Sequence, residues 1–278
     1  PIVVNMSLGG QSSAHDGTDP QEIAVDAFSN SAPGRVVVIA AGNDNGSNIH
    51  KQNSLASSGN TTVSIVVPSA STSTSTDVFQ YTSYASDASA INATITAPGG
   101  TTATVNANSS AGFSIMGGLA TVYIWNGIDA GSGDRKINLY VVRTSNAANV
   151  AGTWTLTLTN ASTNALTVDG WLNYKGNDFG TTTVTSSDSN YLVATPGCAN
   201  NAITVGSYMG KLDWSSSDGT PYSYPSPAQQ DNISSFSSIG PRRDNIQKPD
   251  ISANGQAVVS CLSSDSGLTN TNSYMVVN

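Results

Sequence analysis

Side chains able to do acid–base or nucleophilic work are scarce in this sequence. It holds two histidines, His15 and His50, and two cysteines, Cys198 and Cys261. Serine is abundant, so a serine nucleophile would need only an imidazole to accept its proton and a carboxylate to orient that imidazole. His15 is followed directly by Asp16 in the loop-like run GGQSSAHDGTD, residues 9–19. Sequence neighbours on a loop rarely present a base and its orienting carboxylate to each other, so a catalytic base is the lesser reading there. The plainer one is a loop histidine hydrogen-bonded locally. His50 stands just ahead of a change in sequence texture and reads as a residue that helps dock the middle part of the chain. The cysteines sit in or beside apolar runs and read as small packing residues rather than a bridge. Neither has a Cys or His at metal-ligand spacing, which argues against zinc.

The stretch Ala40-Ala41-Gly42-Asn43 carries more. It closes an apolar run, RVVVIAAG, of the kind that forms a buried parallel strand, and open α/β sheets bind ligands at the carboxyl ends of their strands. The Asn43 amide offers a neutral N–H donor, suited to an oxyanion that develops only in a transition state. An asparagine in a left-handed turn after the strand explains the same residue. Read from its residues alone, the stretch leaves both open.

The elements that would position these groups fall into three zones. Residues 1–55 alternate strand and helix: PIVVNMSL suits a strand buried on both faces, and Asp19-Pro20-Gln21-Glu22 suits a helix start with its cap. Ile23, Ala24, Ala27 and Phe28 then form an apolar stripe at helical spacing. Residues 56–175 change to a period of two. Eight short runs, from TTVSIVVP to ALTVDGWLNY, are separated by Gly, Asn, Ser and Pro. In GTWTLTLTN, Trp154, Leu156 and Leu158 face one way and the threonines the other. These runs predict an all-β sandwich, of jelly-roll type. Residues 176–278 return to the first texture with AITVGSYM and later loop-and-strand segments. An α/β, all-β, α/β succession is the pattern of an inserted domain.

Composition narrows the function classes. The 278 residues are 38% hydrophobic, enough for a sizeable core, but only 10% charged, against about a quarter in ordinary soluble domains. The net charge of −8 argues against nucleic acid and anionic membrane surfaces. No apolar run reaches the roughly 18 residues of a membrane span. The polar-neutral make-up predicts export, to the cell surface, periplasm or medium.

Five blocks decide the family reading. VVNMSLGG (3–10), VVVIAAGN (36–43), AITVGSY (202–208), ISSFSSIGP (233–241) and KPDISANGQAVVSCLS (248–263) resemble consecutive blocks of the subtilisin-like serine proteases, in that family's order. The resemblance implies a secreted endopeptidase acting on peptide or protein substrates, built on a subtilisin-like parallel sheet, here partial. Ser7, Leu8, Gly9 and Gly10 resemble the edge segment that pairs with substrate backbone. Ala41 and Gly42 resemble the other wall of the pocket beside it, and Asn43 the oxyanion donor. The family's Ala-Pro-Gly after Lys-Pro-Asp stands here as Ala253-Asn254-Gly255.

The resemblance also implies what this sequence lacks. The family's Asp and its His-Gly-Thr-His motif precede the NMSLGG block, and its nucleophile lies in Gly-Thr-Ser, expected just after the closing NSYMVVN. The segment AHDGTD lies on the wrong side of NMSLGG, so the family histidine is not carried onto His15. The chain is expected to be a truncated and inactive piece of its parent, with the edge of the PIVVNMSL strand exposed and prone to oligomerise. No cofactor is required; calcium is compatible with the family, although no acidic loop has a ligand pattern. The end of the middle zone resembles the jelly-roll P domain of proprotein convertases, a likeness of fold that assigns no role. A non-catalytic pseudoprotease or sandwich-bearing adhesion module is the alternative.

Overall fold

The computed structural model describes residues 1–216 and 218–260; Cys261 and the closing NSYMVVN lie outside them. The helix start is as the sequence suggests. In α1 (Pro20–Asn30) the Asp19 carboxylate accepts the Gln21 N–H at 2.9 Å, and the Glu22 carboxylate reaches back to the Asp19 N–H at 3.2 Å. These two bonds satisfy amides that the first helical turn would otherwise leave unpaired. The inward face differs from the apolar stripe. Ile23, Ala24 and Ala27 are exposed, while Glu22 and Val25 are buried. The capping box pulls Glu22 inward, where the Thr195 hydroxyl donates to it at 2.9 Å, and that sets the helix's rotation.

Four strands form an all-parallel sheet in the order β1 (Ile2–Met6), β2 (Arg35–Ala40), β14 (Ala202–Met209), β17 (Ile251–Gln256). Below α1, Val25, Val37, Ile39, Ala199 and Ala202 make a small core, with Val4, Met6 and Phe28 packed against it. The other face is open. PIVVNMSL therefore is not buried on both sides: β1 is an edge strand, with Val3 69% exposed.

The middle of the chain folds as two antiparallel sheets. One has six strands, ordered β3 (His50–Leu55), β12 (Leu166–Lys175), β5 (Asp77–Ala85), β10 (Arg135–Arg143), β9 (Ala120–Ile128), β8 (Ser109–Ile115). The other has five, ordered β13 (Thr183–Val184), β4 (Asn60–Val67), β11 (Gly152–Asn160), β6 (Ile91–Thr96), β7 (Thr102–Val105). A separate hairpin joins β15 (Asp213–Ser215) to β16 (Pro221–Ser223). Inward residues of both large sheets share one apolar core, among them Trp154, Leu156, Leu158, Ile137, Leu139 and Val141. The two-sheet unit runs wider than 56–175: it opens with β3, paired to β12, and closes with β13, paired to β4. HKQNSL is too polar to show a strand period, and a two-residue strand is too short to show any.

A buried aromatic contact docks this unit on the parallel-sheet part. Trp171 of β12 stacks on His15, ring centroids 4.2 Å apart at 14°. The His15 N–H donates locally to Ser13 Oγ at 3.2 Å, as expected of a loop histidine, but its ring reaches a distant segment. Its Nδ1 faces the Val193 carbonyl at 2.9 Å, so Nδ1 carries the proton, and Nε2 is left buried without a partner among the described residues. On another side of Trp171, His50 bonds Asp188 through Nδ1 at 2.6 Å and lies 3.4 Å from Asp169 through Nε2. Burial alone would lower the His50 pKa, but the two carboxylates outweigh it and raise it. Arg243 adds a polar clamp, donating to Ala14 O (2.8 Å) and Asp16 (2.8 Å) on one side and to Ala85 O (3.1 Å) and Asp134 on the other.

Two buried groups titrate in opposition. Burial drives the His15 pKa from 6.5 down to about 4, and burial drives Glu22 from 4.5 up to about 7. Between pH 4.5 and 6.5 the unfolded chain binds the His15 proton more readily, so the His15 contribution to stability is lost as pH falls. In the same window the native chain holds the Glu22 proton, so the Glu22 contribution is lost as pH rises. Each has a limiting slope of about 1.4 kcal/mol per pH unit. Urea unfolding of Glu22→Gln should therefore show stability falling on acidification across this window, and His15→Gln should show the reverse. The same pH slope in both variants would contradict these assignments.

Candidate active site

A short segment that belongs to no strand, Leu192–Thr195, organises the carboxyl end of the parallel sheet. Its backbone is bonded at every residue. Leu192 N–H donates to Ile239 O (2.9 Å) and Leu192 O accepts the Gln11 amide (2.9 Å). Val193 O faces His15, Ala194 N–H donates to Ala41 O (2.8 Å), and Thr195 exchanges two bonds with Gly10 (2.9 and 3.0 Å). Residues 9–10 and 41–42, far apart in sequence, are thus fixed against one strip of chain.

The contact is too close for larger residues. A Cβ placed on Gly9 would lie 2.8 Å from the Ala194 Cβ, and one on Gly42 would lie 2.8 Å from Ser238 Oγ and 3.2 Å from the same Ala194 Cβ. Gly42 also has φ of 110°, which side chains disfavour. The Gly42 carbonyl accepts the Ser238 N–H (3.0 Å), and Asn45 bonds Phe236 O (3.1 Å) and Ser235 O (3.0 Å). The ISSFSSIGP block therefore holds the turn after β2.

These bonds bring most of the sequence-derived candidates together. Ser7, Leu8, Gly9 and Gly10 are exposed along one edge, and nothing stands within 4 Å of a Cβ on Gly10. Asn43 is exposed at the end of β2, and its amide has no hydrogen-bond partner among the described residues. It is a free donor on the surface. Ala41 is different: it is 1% exposed and contributes only backbone behind the wall. Leu192–Thr195, Gln11 and Asp44 also belong to the site, and sequence reasoning does not reach them. The apolar triplet LVA just before Pro196 is the available sign, and it lacks the length of a strand.

A cavity of about 330 Å³ opens beside Gly9 and Gly10, walled by Gln11, Asp44, Ser47 and Ile49 and, across from them, by Leu172–Lys175 of β12. The two-sheet unit therefore forms one side of it. Gln11 donates to Asp44 Oδ2 at 2.7 Å and to Leu192 O at 2.9 Å, which orients its amide and leaves Oε1 buried without a partner among the described residues. Burial lowers the Lys175 pKa, with Asp44 pulling the other way. No three His, Cys, Asp or Glu side chains among the described residues gather as a metal-ligand set. No helix among the described residues is long and apolar enough to cross a membrane. Cys198 is buried, its thiol donating to Val193 O at 3.2 Å.

Comparison with known proteins bears on the family and the fold. The Subtilase family profile matches residues 1–133 and 159–278. No curated protein sequence matches the chain. Among solved structures, the CspB protease of Clostridium perfringens superposes with a TM-score of 0.72 at 17% identity, covering 95% of this chain and 50% of that one. At that identity the likeness is one of fold, and this chain spans about half the length of that structure. With the family profile covering both flanks and most of the two-sheet unit, the chain belongs to the subtilase family of peptidases.

Proposed function

We propose that this chain is the substrate-binding part of an exported serine endopeptidase. An extended peptide lies along Ser7–Gly10, its side chain enters beside Gly9 and Gly42, and Asn43 donates to the oxyanion that forms at the scissile carbonyl. The single observation that supports this most is the exposed, unpartnered Asn43 amide at the carboxyl end of β2, next to glycines that leave room for a substrate main chain. In a subtilisin, losing one such side-chain donor lowers turnover by about 10²–10³, which sets the scale of effect assigned to Asn43.

The chain holds no His-Gly-Thr-His and no Gly-Thr-Ser, and on that ground we read the chain alone as inactive. We read the two-sheet unit as an inserted jelly roll, in keeping with its two antiparallel sheets around one core. The neutral, weakly charged composition favours the cell surface, periplasm or medium.

Two measurements test this reading. The purified chain should neither hydrolyse peptide esters nor take up a fluorophosphonate probe; stoichiometric labelling would mean that a serine nucleophile is assembled within these residues. Light scattering should give a dimer or larger species through the outer edge of β1, where Ile2 is 49% and Val3 69% exposed. A monodisperse monomer would remove the edge-pairing proposal and leave the substrate-binding one standing.

A further inference from the structure

The outer face of the six-stranded sheet is only half used. At one end Tyr84 donates to Ser12 O (3.2 Å) and Trp171 stacks on His15, so the parallel-sheet part covers it. Toward β9 and β8 the face is open and holds a shallow groove of about 440 Å³, within the range of small-ligand sites. Tyr123 is 50% exposed and Trp125 is 42% exposed, a large aromatic area left in water.

Those rings lie down over the sheet rather than standing from it. A Cβ on Gly127 would meet the Trp125 six-membered ring at 2.4 Å, and one on Gly112 would meet the Tyr123 ring at 3.0 Å. Each ring fills the space above a glycine, which fixes it before any ligand arrives. Tyr140, paired across from Tyr123, lies 6.3 Å from it at 27°. Beside the rings sits an amide pair. Gln80 Nε2 donates to Asn138 Oδ1 at 3.0 Å, leaving the Asn138 N–H groups and the Gln80 carbonyl without partners among the described residues. The pair thus presents donors and an acceptor side by side.

The groove's lining carries no charged side chain. Asp77, nearby, accepts from the hydroxyls of Tyr140 and Tyr174. A polyanion would find no cation there and would meet a chain of net charge −8. An extended peptide adding as a strand would pair with the outer edge of β8, in the plane of the sheet, rather than lie over the rings, because β5, β10 and β9 are each paired on both sides. A purely apolar partner would bury the free amide groups unpaired, at a cost. The ligand that fits is neutral, with apolar C–H faces and hydroxyl groups at its rim. We propose that this face binds a neutral saccharide chain, stacked on Tyr123 and Trp125 and hydrogen-bonded by Gln80 and Asn138. This function is independent of the peptide-binding cleft.

Isothermal titration of the full chain with four neutral hexasaccharides, of cellulose, chitin, laminarin and amylose type, tests it. At least one should bind with a Kd below about 1 mM. Trp125→Ala should weaken that binding by about tenfold or more, while Trp125→Tyr, which keeps a ring, should stay within a few-fold. Asn138→Ala should also weaken it, with unchanged thermal melting showing that the variants fold. Heat exchange with none of the four sugars overturns the proposal, as does binding that Trp125→Ala leaves intact. Displacement of the bound sugar by peptides, but not by other sugars, would reassign the face to protein.

Discussion

The bond between Ala194 N–H and the Ala41 carbonyl, together with the double bond pair between Thr195 and Gly10, is the constraint on which the rest of the site depends. Leu192–Thr195 is not a strand of any sheet, yet it occupies the place where a strand would join two separate segments. Because it pairs on both sides, residues 7–10 and 41–43 are set relative to each other by main-chain geometry. Side chains are then free to be small. Gly9 and Gly42 are small because Ala194 lies against both, and that same lack of bulk leaves an open edge for a ligand's own backbone. Asn43 comes directly after Gly42, so its exposure is a consequence of where the brace ends β2.

A second set of contacts determines what stands across from that edge. Trp171, His15, His50 and Arg243 fasten the two-sheet unit through stacked rings and charge-assisted bonds, alongside Ala14 and Leu192, which pack into its apolar core. The polar part of this junction depends on protonation, because His15 Nδ1 must keep its proton toward Val193 O and His50 Nδ1 its bond to Asp188. It also carries the end of β12 to the cavity beside Gly9. The walls of the cleft therefore come from two separately packed cores, and a change in either core reaches the site through this junction.

Much of this is legible in the sequence, and the rest is hidden for physical reasons. The capping box of α1 and the alternation of Trp154, Leu156 and Leu158 are local signals, and the structure carries both. The rotation of α1 departs from the apolar stripe because Glu22, a charged residue, is buried by a bond to Thr195, 173 positions away. DVFQYTSYA, the β5 strand, escapes the eight runs because it is buried on both faces over much of its length and so shows no period of two. β3 escapes for the opposite reason, its residues being polar. The Asn43 stretch reveals its position but not its environment: no local feature tells a free amide from a turn-bonded one. The brace at Leu192–Thr195 leaves little local trace beyond the LVA triplet, because its bonds to Gly10, Gln11, Ala41 and Ile239 run to distant segments.

The claim that joins these parts is that a peptide backbone is received along Ser7–Gly10 beside the Asn43 amide. Titrating the isotopically labelled chain with a capped tetrapeptide, and following amide chemical shifts by NMR, measures this directly. The largest changes should fall on the amides of Gly9, Gly10 and Gly42 and on the Asn43 side chain. Changes confined to other surfaces, with these four signals unmoved at saturating peptide, would contradict it.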